Sequence, residues 1–133
     1  MMVRDAMVED VTVVASDTTV DAAAQIMADL DVGALPVGRL GAPPEGIITD
    51  RDILLRVVAP RRDPRTTRIG DIMSTQLFCC HDEDDTEAVL REMARHQVRR
   101  MPVIDAEGRL TGIVTRDDLE RARAHAGDGD ALR

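Results

Sequence analysis

The sequence predicts an α+β fold made of one strand-helix-strand-strand-helix unit written twice, the two units packing sheet to sheet. Three observations carry this expectation. The stretch Gly46-Ile47-Ile48-Thr49-Asp50-Arg51-Asp52 returns as Gly112-Ile113-Val114-Thr115-Arg116-Asp117-Asp118. Thr49 and Thr115, Asp52 and Asp118, Pro36 and Pro102, Met27 and Met93, and Met7 and Met73 all stand 66 residues apart, so the copies are related with no net insertion. Within each copy, short β-branched runs alternate with a longer segment of helical apolar spacing.

Each copy opens on a short apolar-spaced lead, residues 3–7 or 69–73. The segments Val11 to Ala15 and Leu77 to Cys80 follow as a first strand. Thr18 with Asp21, and Asp84 with Glu87, stand where a capping side chain and its reciprocal carboxylate start a helix. That helix is expected over 20–31 and 86–97, burying Val20, Ala23, Ala24, Met27 and Leu30 in one copy and Val89, Leu90, Met93 and Ala94 in the other. Leu35-Pro36-Val37 and Met101-Pro102-Val103-Ile104 read as a second strand, with the proline at its start or on an edge. A turn leads to the third strand, tight at residues 105–108 and looser at 38–45, where Pro43 and Pro44 fall. The repeated junction closes the unit and launches a second helix, over 50–58 or 116–124. The organisation is therefore 1–59 for the first repeat, 60–67 for a linker, 68–124 for the second repeat and 125–133 for a flexible tail. Neither copy is large enough to bury its sheet alone.

Bulk composition narrows the function. The 133 residues are 44% hydrophobic and 32% charged, as in a folded globular domain. Phe78 is the single aromatic residue, so a flat ligand must lie between aliphatic walls. All 17 basic residues are arginine, and the net charge of −8 opposes nucleic acid and anionic membranes. The amino end lacks the apolar run of a signal peptide, and no stretch reaches membrane-spanning length, which points to the cytoplasm. Cys79 and Cys80 are adjacent on a strand and point to opposite faces, as buried thiols of a reducing compartment do.

The junction itself suggests a binding site. A helix start offers unpaired N–H groups and partial positive charge, a natural seat for phosphate or sugar. Thr49 and Thr115 are placed to donate to a phosphate and to cap their helices, two compatible roles. Asp52 and Asp118 either accept from ligand hydroxyls or complement the helix dipole.

Two copies of an apolar-Pro-Val strand, a turn and a Gly-apolar-apolar-Thr-x-x-Asp junction resemble tandem CBS domains, the Bateman module. The likeness covers residues 3–124, and the run His96-Gln97-Val98-Arg99-Arg100-Met101-Pro102 is similar to short stand-alone actinobacterial CBS pairs, including the hypoxic-response type. The resemblance implies two CBS repeats packed as one CBS pair, with a cleft between them for an adenosine-containing ligand: AMP, ADP, ATP or S-adenosylmethionine. It implies that Asp52 and Asp118 accept from the ribose hydroxyls, and that Arg99 and Arg100 face the phosphates. It also places the adenine in a slot made by Val13 and Val14, or Cys79 and Cys80. Copy one has Gly33-Ala34 where copy two has Arg99-Arg100, so the two sites are not equivalent. The alternative for the arginine pair is a surface ion pair with the acidic run 82–85, and for the slot residues it is plain core packing.

No metal is expected. Cys79, Cys80 and His81 form a weaker zinc reading, because a closed site wants four ligands and adjacent strand residues diverge. No serine, cysteine or histidine is spaced to set a nucleophile beside a base, so no catalytic role is expected. The run Ile53, Leu54, Leu55, Arg56, Val57, Val58 is more apolar than one buried face requires, and Ile53, Leu54, Leu55, Val57 and Val58 are expected in or near a homodimer interface. The expected function is a non-enzymatic regulatory or sensor module that passes its signal to a separate downstream protein. The alternative is a CBS-pair structural or interaction protein of a stress response that binds no ligand.

Overall fold

The structure is a computed structural model that describes residues 1–7 and 11–131. Its chain divides into two compact units, Thr12–Leu77 and Met1–Val11 together with Phe78–Arg133.

In the unit Thr12–Leu77, helix α1 (Val20–Leu30) is followed by strand β1 (Ala34–Val37) and strand β2 (Gly46–Thr49), which pair antiparallel. Helix α2 (Asp50–Ile53) starts directly from β2 and runs on as a π-helical turn, Leu54–Val58. The lead of the second repeat, helix α3 (Ile69–Ile72), closes this unit. Val14, Val20, Leu35, Ile48, Val57, Ile69 and Ile72 form its core, which is entirely aliphatic.

The other unit follows the same plan. Strand β3 (Cys80–His81) pairs parallel with β4 (Arg100–Ile104), and β4 pairs antiparallel with β5 (Leu110–Thr115). Helix α4 (Thr86–His96) precedes β4, and helix α5 (Arg116–Ala131) leaves β5. Val3, from a 3-10 turn over Val3–Asp5, lies among Cys80, Val89, Met93, Met101 and Leu119 in its core. Helices α1 and α4 end on left-handed residues at the same repeat position, Asp31 (φ 54°) and Gln97 (φ 57°).

The units therefore do not follow the repeat in sequence: each lead is docked in the unit built by the other repeat. The Val3 amide donates to the Asp84 carbonyl at 2.9 Å, and the Ile69 amide to that of Thr18 at 2.8 Å. This exchange changes the helix starts. The N-caps are Thr19 and Asp85, one residue later than Thr18 and Asp84, and neither side chain accepts from an amide of its helix. Carbonyls just ahead of the incoming leads do that work, Thr67 accepting from Val20 at 2.9 Å and Met1 from Thr86 at 3.0 Å.

The first strands are shorter than expected. Val11 to Ala15 contributes one parallel bridge, Val14 to Val37, and residues 77–80 leave only Cys80 paired, continued by His81. In both copies the chain turns at once toward its helix, Thr18 donating to Ala15 and Asp84 to His81. Leu30 keeps the face of Ala23 and Met27 but, as the last residue of α1, is exposed. Helix α5 passes Ala124 and reaches Ala131, and the last two residues of the expected tail lie outside the described residues.

Candidate nucleotide-binding site

The two Thr-x-x-Asp junctions have the same geometry. The hydroxyl of Thr49 accepts from the Asp52 amide at 3.0 Å while Oδ2 of Asp52 accepts from the Thr49 amide at 3.0 Å. Thr115 and Asp118 repeat both bonds at 3.1 Å. Each is a capping box, so the capping reading of the threonines holds in both copies. Each aspartate side chain is only 13% exposed, yet just one of its oxygens serves the cap. The strands deliver these groups because a β-branched pair, Ile47-Ile48 or Ile113-Val114, alternates into the core and brings the threonine to the strand end.

The second oxygen, Oδ1, meets different groups in the two copies. Beside Asp52 lie Ser74 Oγ at 3.5 Å and Nη2 of Arg56 at 3.9 Å. Asp118 instead accepts from Nη2 of Arg121 at 2.7 Å. Sequence reasoning did not single out these three residues. The two arginines carry a signal, sitting one helical turn after an aspartate. Ser74 carries none, because it arrives from the lead of the other repeat, held by paired bonds with Ile47 at 2.9 and 3.0 Å.

Arg100 lies directly across from Thr115 in the β4–β5 register, as Ala34 lies across from Thr49. The basic residue thus stands beside the junction of its own repeat. Arg99 contributes its carbonyl, which accepts from the Arg116 amide at 2.7 Å, the Gly33 carbonyl doing the same for Asp50 at 2.9 Å. Its side chain lines a groove of about 530 Å³ between α4 and α5, shared with Arg116, Glu120 and Arg123. Among the described residues neither Arg99 nor Arg100 pairs with the acidic run 82–85, which is met by Arg4 on Glu83 at 3.6 Å and the terminal amine on Asp85 at 3.8 Å.

The four slot residues separate by role. Val14 and Cys80 are buried in the cores, and Val14 spends its main chain on sheet pairing, donating to Pro36 at 3.1 Å and accepting from Gly38 at 2.9 Å. Val13 and Cys79 are half-buried and, among the described residues, make no backbone hydrogen bonds of their own. Successive residues of an extended chain direct these groups to opposite edges, so the main chain of Val13 and Cys79 is left out of the pairing that uses Val14 and Cys80.

The cysteines are free thiols, and burial pushes Cys79 up and Cys80 to about 12. A raised thiol resists the thiolate form that zinc binds. Among the described residues no three His, Cys, Asp or Glu side chains come together as metal ligands. The pair His96–Glu92, at 3.1 Å, has Phe78 stacked on the imidazole at 4.0 Å rather than a hydroxyl or thiol beside it.

The apolar run after Asp52 is also divided. Val57 is 1% exposed and Ile53 packs against the same core, while Leu54, Leu55 and Val58 are 56%, 51% and 61% exposed. The surface on offer to a second copy is thus narrower than the sequence suggests. No described helix is long and apolar enough to cross a membrane.

Comparisons with known proteins identify the family. The family profile described as CBS domain matches residues 3–59 and again 69–125. The chain belongs to the CBS domain family. It is 40% identical over 118 residues to Hypoxic response protein 1 of Mycobacterium tuberculosis, covering 89% of this chain and 82% of that one. The crystal structure of Hypoxic Response Protein I with two coordinated zinc ions superposes with a TM-score of 0.81 at 38% identity, covering 91% of this chain and 98% of that one. CBSX2 of Arabidopsis thaliana in complex with AMP gives a TM-score of 0.80 at 27% identity, covering 95% and 98%. The mixed α/β class and the two CBS repeats are thereby established, and the likeness to the hypoxic-response type of CBS pair holds over most of the chain.

Proposed function

We propose that this CBS pair is a non-enzymatic regulatory module that binds an adenosine-containing ligand of the AMP, ADP or ATP class. One observation carries the reading. Two shielded carboxylates stand at the same repeat position, each with one oxygen used by its helix cap and the other outside the backbone network. A vicinal diol offers the two O–H donors that such an acceptor takes. The AMP complex of a relative supports the ligand class. In this reading the main chain of Val13 or Cys79 reads the adenine edge, and Arg100 faces the phosphate with its planar fork. S-adenosylmethionine, which carries the same diol, is the competing ligand.

The module works as a homodimer through Leu54, Leu55 and Val58, and it signals to a separate protein in the cytoplasm, where its two free thiols stay reduced. Equilibrium sedimentation tests the dimer: Leu55→Glu should give a monomer where the unaltered chain gives a dimer. Calorimetric titration with AMP, ADP, ATP and S-adenosylmethionine tests the ligand. The double variant Asp52→Asn, Asp118→Asn should lose binding and keep its fold, because an Asn carbonyl still accepts the Thr amide. Failure of every ligand to bind the folded protein would leave the structural or interaction role in its place.

A further inference from the structure

Asp52 and Asp118 are equivalent in sequence but not in what surrounds Oδ1. Arg121 donates to Asp118 at 2.7 Å, a short charge-assisted bond. The contacts to Asp52, from Ser74 at 3.5 Å and Arg56 at 3.9 Å, are too long to satisfy the oxygen. Arg56 does not close on Asp52 because its Nη1 is committed to the Ile72 carbonyl, at 2.7 Å, where α3 ends. Arg121 makes no other ion pair or side-chain hydrogen bond among the described residues, and its side chain is 76% exposed. The asymmetry is written in the chain: the 66-residue offset puts Leu55 opposite Arg121, Ala122 opposite Arg56 and Val8 opposite Ser74.

We propose that Arg121 is an internal competitor for Asp118. Its guanidinium fills the acceptor that ligand hydroxyls need, so a ribose-type diol occupies Asp52 first and reaches Asp118 only after Arg121 swings into solvent. The inference rests on the reading of both aspartates as ligand acceptors. Because an exposed arginine leaves a carboxylate cheaply, the competition is worth about three- to tenfold in affinity rather than a complete block.

Adenosine is the probe, since it carries the diol without a phosphate that a freed guanidinium would attract. In the Asp52→Asn protein, where only the Asp118 site remains, Arg121→Ala should tighten adenosine by about three- to tenfold, or restore binding if Asp52→Asn alone abolishes it. In the Asp118→Asn protein the same substitution should leave adenosine binding where it was. Circular dichroism confirms that each variant is folded. An Arg121→Ala effect of equal size in both backgrounds, or none in the Asp52→Asn protein, overturns the competition while leaving aspartate-dependent binding intact. Adenosine and AMP binding that survives loss of both carboxylates, or that never occurs, overturns the reading of the site and the inference with it.

Discussion

Val3 donates its amide to the carbonyl of Asp84 across 81 positions of sequence, and its side chain is fully buried in the core of the unit that carries α4 and α5. An element of three residues is thus part of a distant hydrophobic core. Removing two methyl groups there leaves a void that the aliphatic neighbours fill only in part. Val3→Ala should lower stability by about 1–3 kcal/mol. Amide exchange should quicken in α4 and β4 and stay unchanged in β1 and β2; equal loss in both units would contradict the exchanged packing.

Gly46 marks a close approach of backbones. A Cβ there would lie 2.7 Å from Sδ of Met73 and 2.8 Å from the Ser74 carbonyl, and that carbonyl is already bonded to Ile47. The sulfur can move but the carbonyl cannot. Gly46→Ala should therefore destabilise the protein by about 1–3 kcal/mol, as an overpacked core site does. A thermal melt equal to that of the unaltered chain would show that the strand and the lead are not held this tightly.

Thiol reactivity should be low and graded. Burial raises both thiols, Cys80 to about 12, and Cys80 is the more enclosed. At pH 8 little thiolate forms in the native state. A chromogenic disulfide reagent should label Cys79 slowly and Cys80 more slowly still, with both reacting at once in guanidinium. Rapid native labelling of Cys80 would contradict its buried place beside β4.

Asp105 ties the turn between β4 and β5. The Arg109 amide at 2.9 Å above all, with the Glu107 amide at 3.0 Å and the Arg109 guanidinium adding to it, holds its carboxyl below the usual carboxylate range. A carboxyl depressed on folding stabilises above its unfolded value and loses that contribution as pH falls through the folded one. Asp105→Asn should weaken the protein at pH 7 and flatten the loss of stability below about pH 4. An unchanged acid limb would show the turn to be indifferent to its charge.

The repeat was legible because nothing is inserted between landmarks such as Thr49 and Thr115, so one offset aligned every element. The junction was legible for the same reason, and both capping boxes stand where threonine and aspartate spacing puts them. The exchange of leads was not. A run such as Val3-Arg4-Asp5-Ala6-Met7 shows that it has an apolar side, but nothing in its periodicity says which unit will bury it. The capping of α1 and α4 departs from the expected Thr18 and Asp84 in consequence, because carbonyls of Thr67 and Met1 meet the amides of Val20 and Thr86, and the Asp21 amide goes to the Pro64 carbonyl. Val57 shows a second limit. A run apolar at nearly every position reveals excess surface, while only the packing decides that Val57 turns inward and Leu54, Leu55 and Val58 do not.

The docked leads also order the events of synthesis. The unit Thr12–Leu77 is one continuous stretch, complete in principle as soon as Leu77 clears the ribosome. The other unit is split, and the 3-10 turn that opens the chain has no core to enter until β3, α4 and β4 have been made. Until those elements are made Val3 has no core to enter, so a truncated chain of residues 1–80 should hold one folded unit and an unengaged amino end.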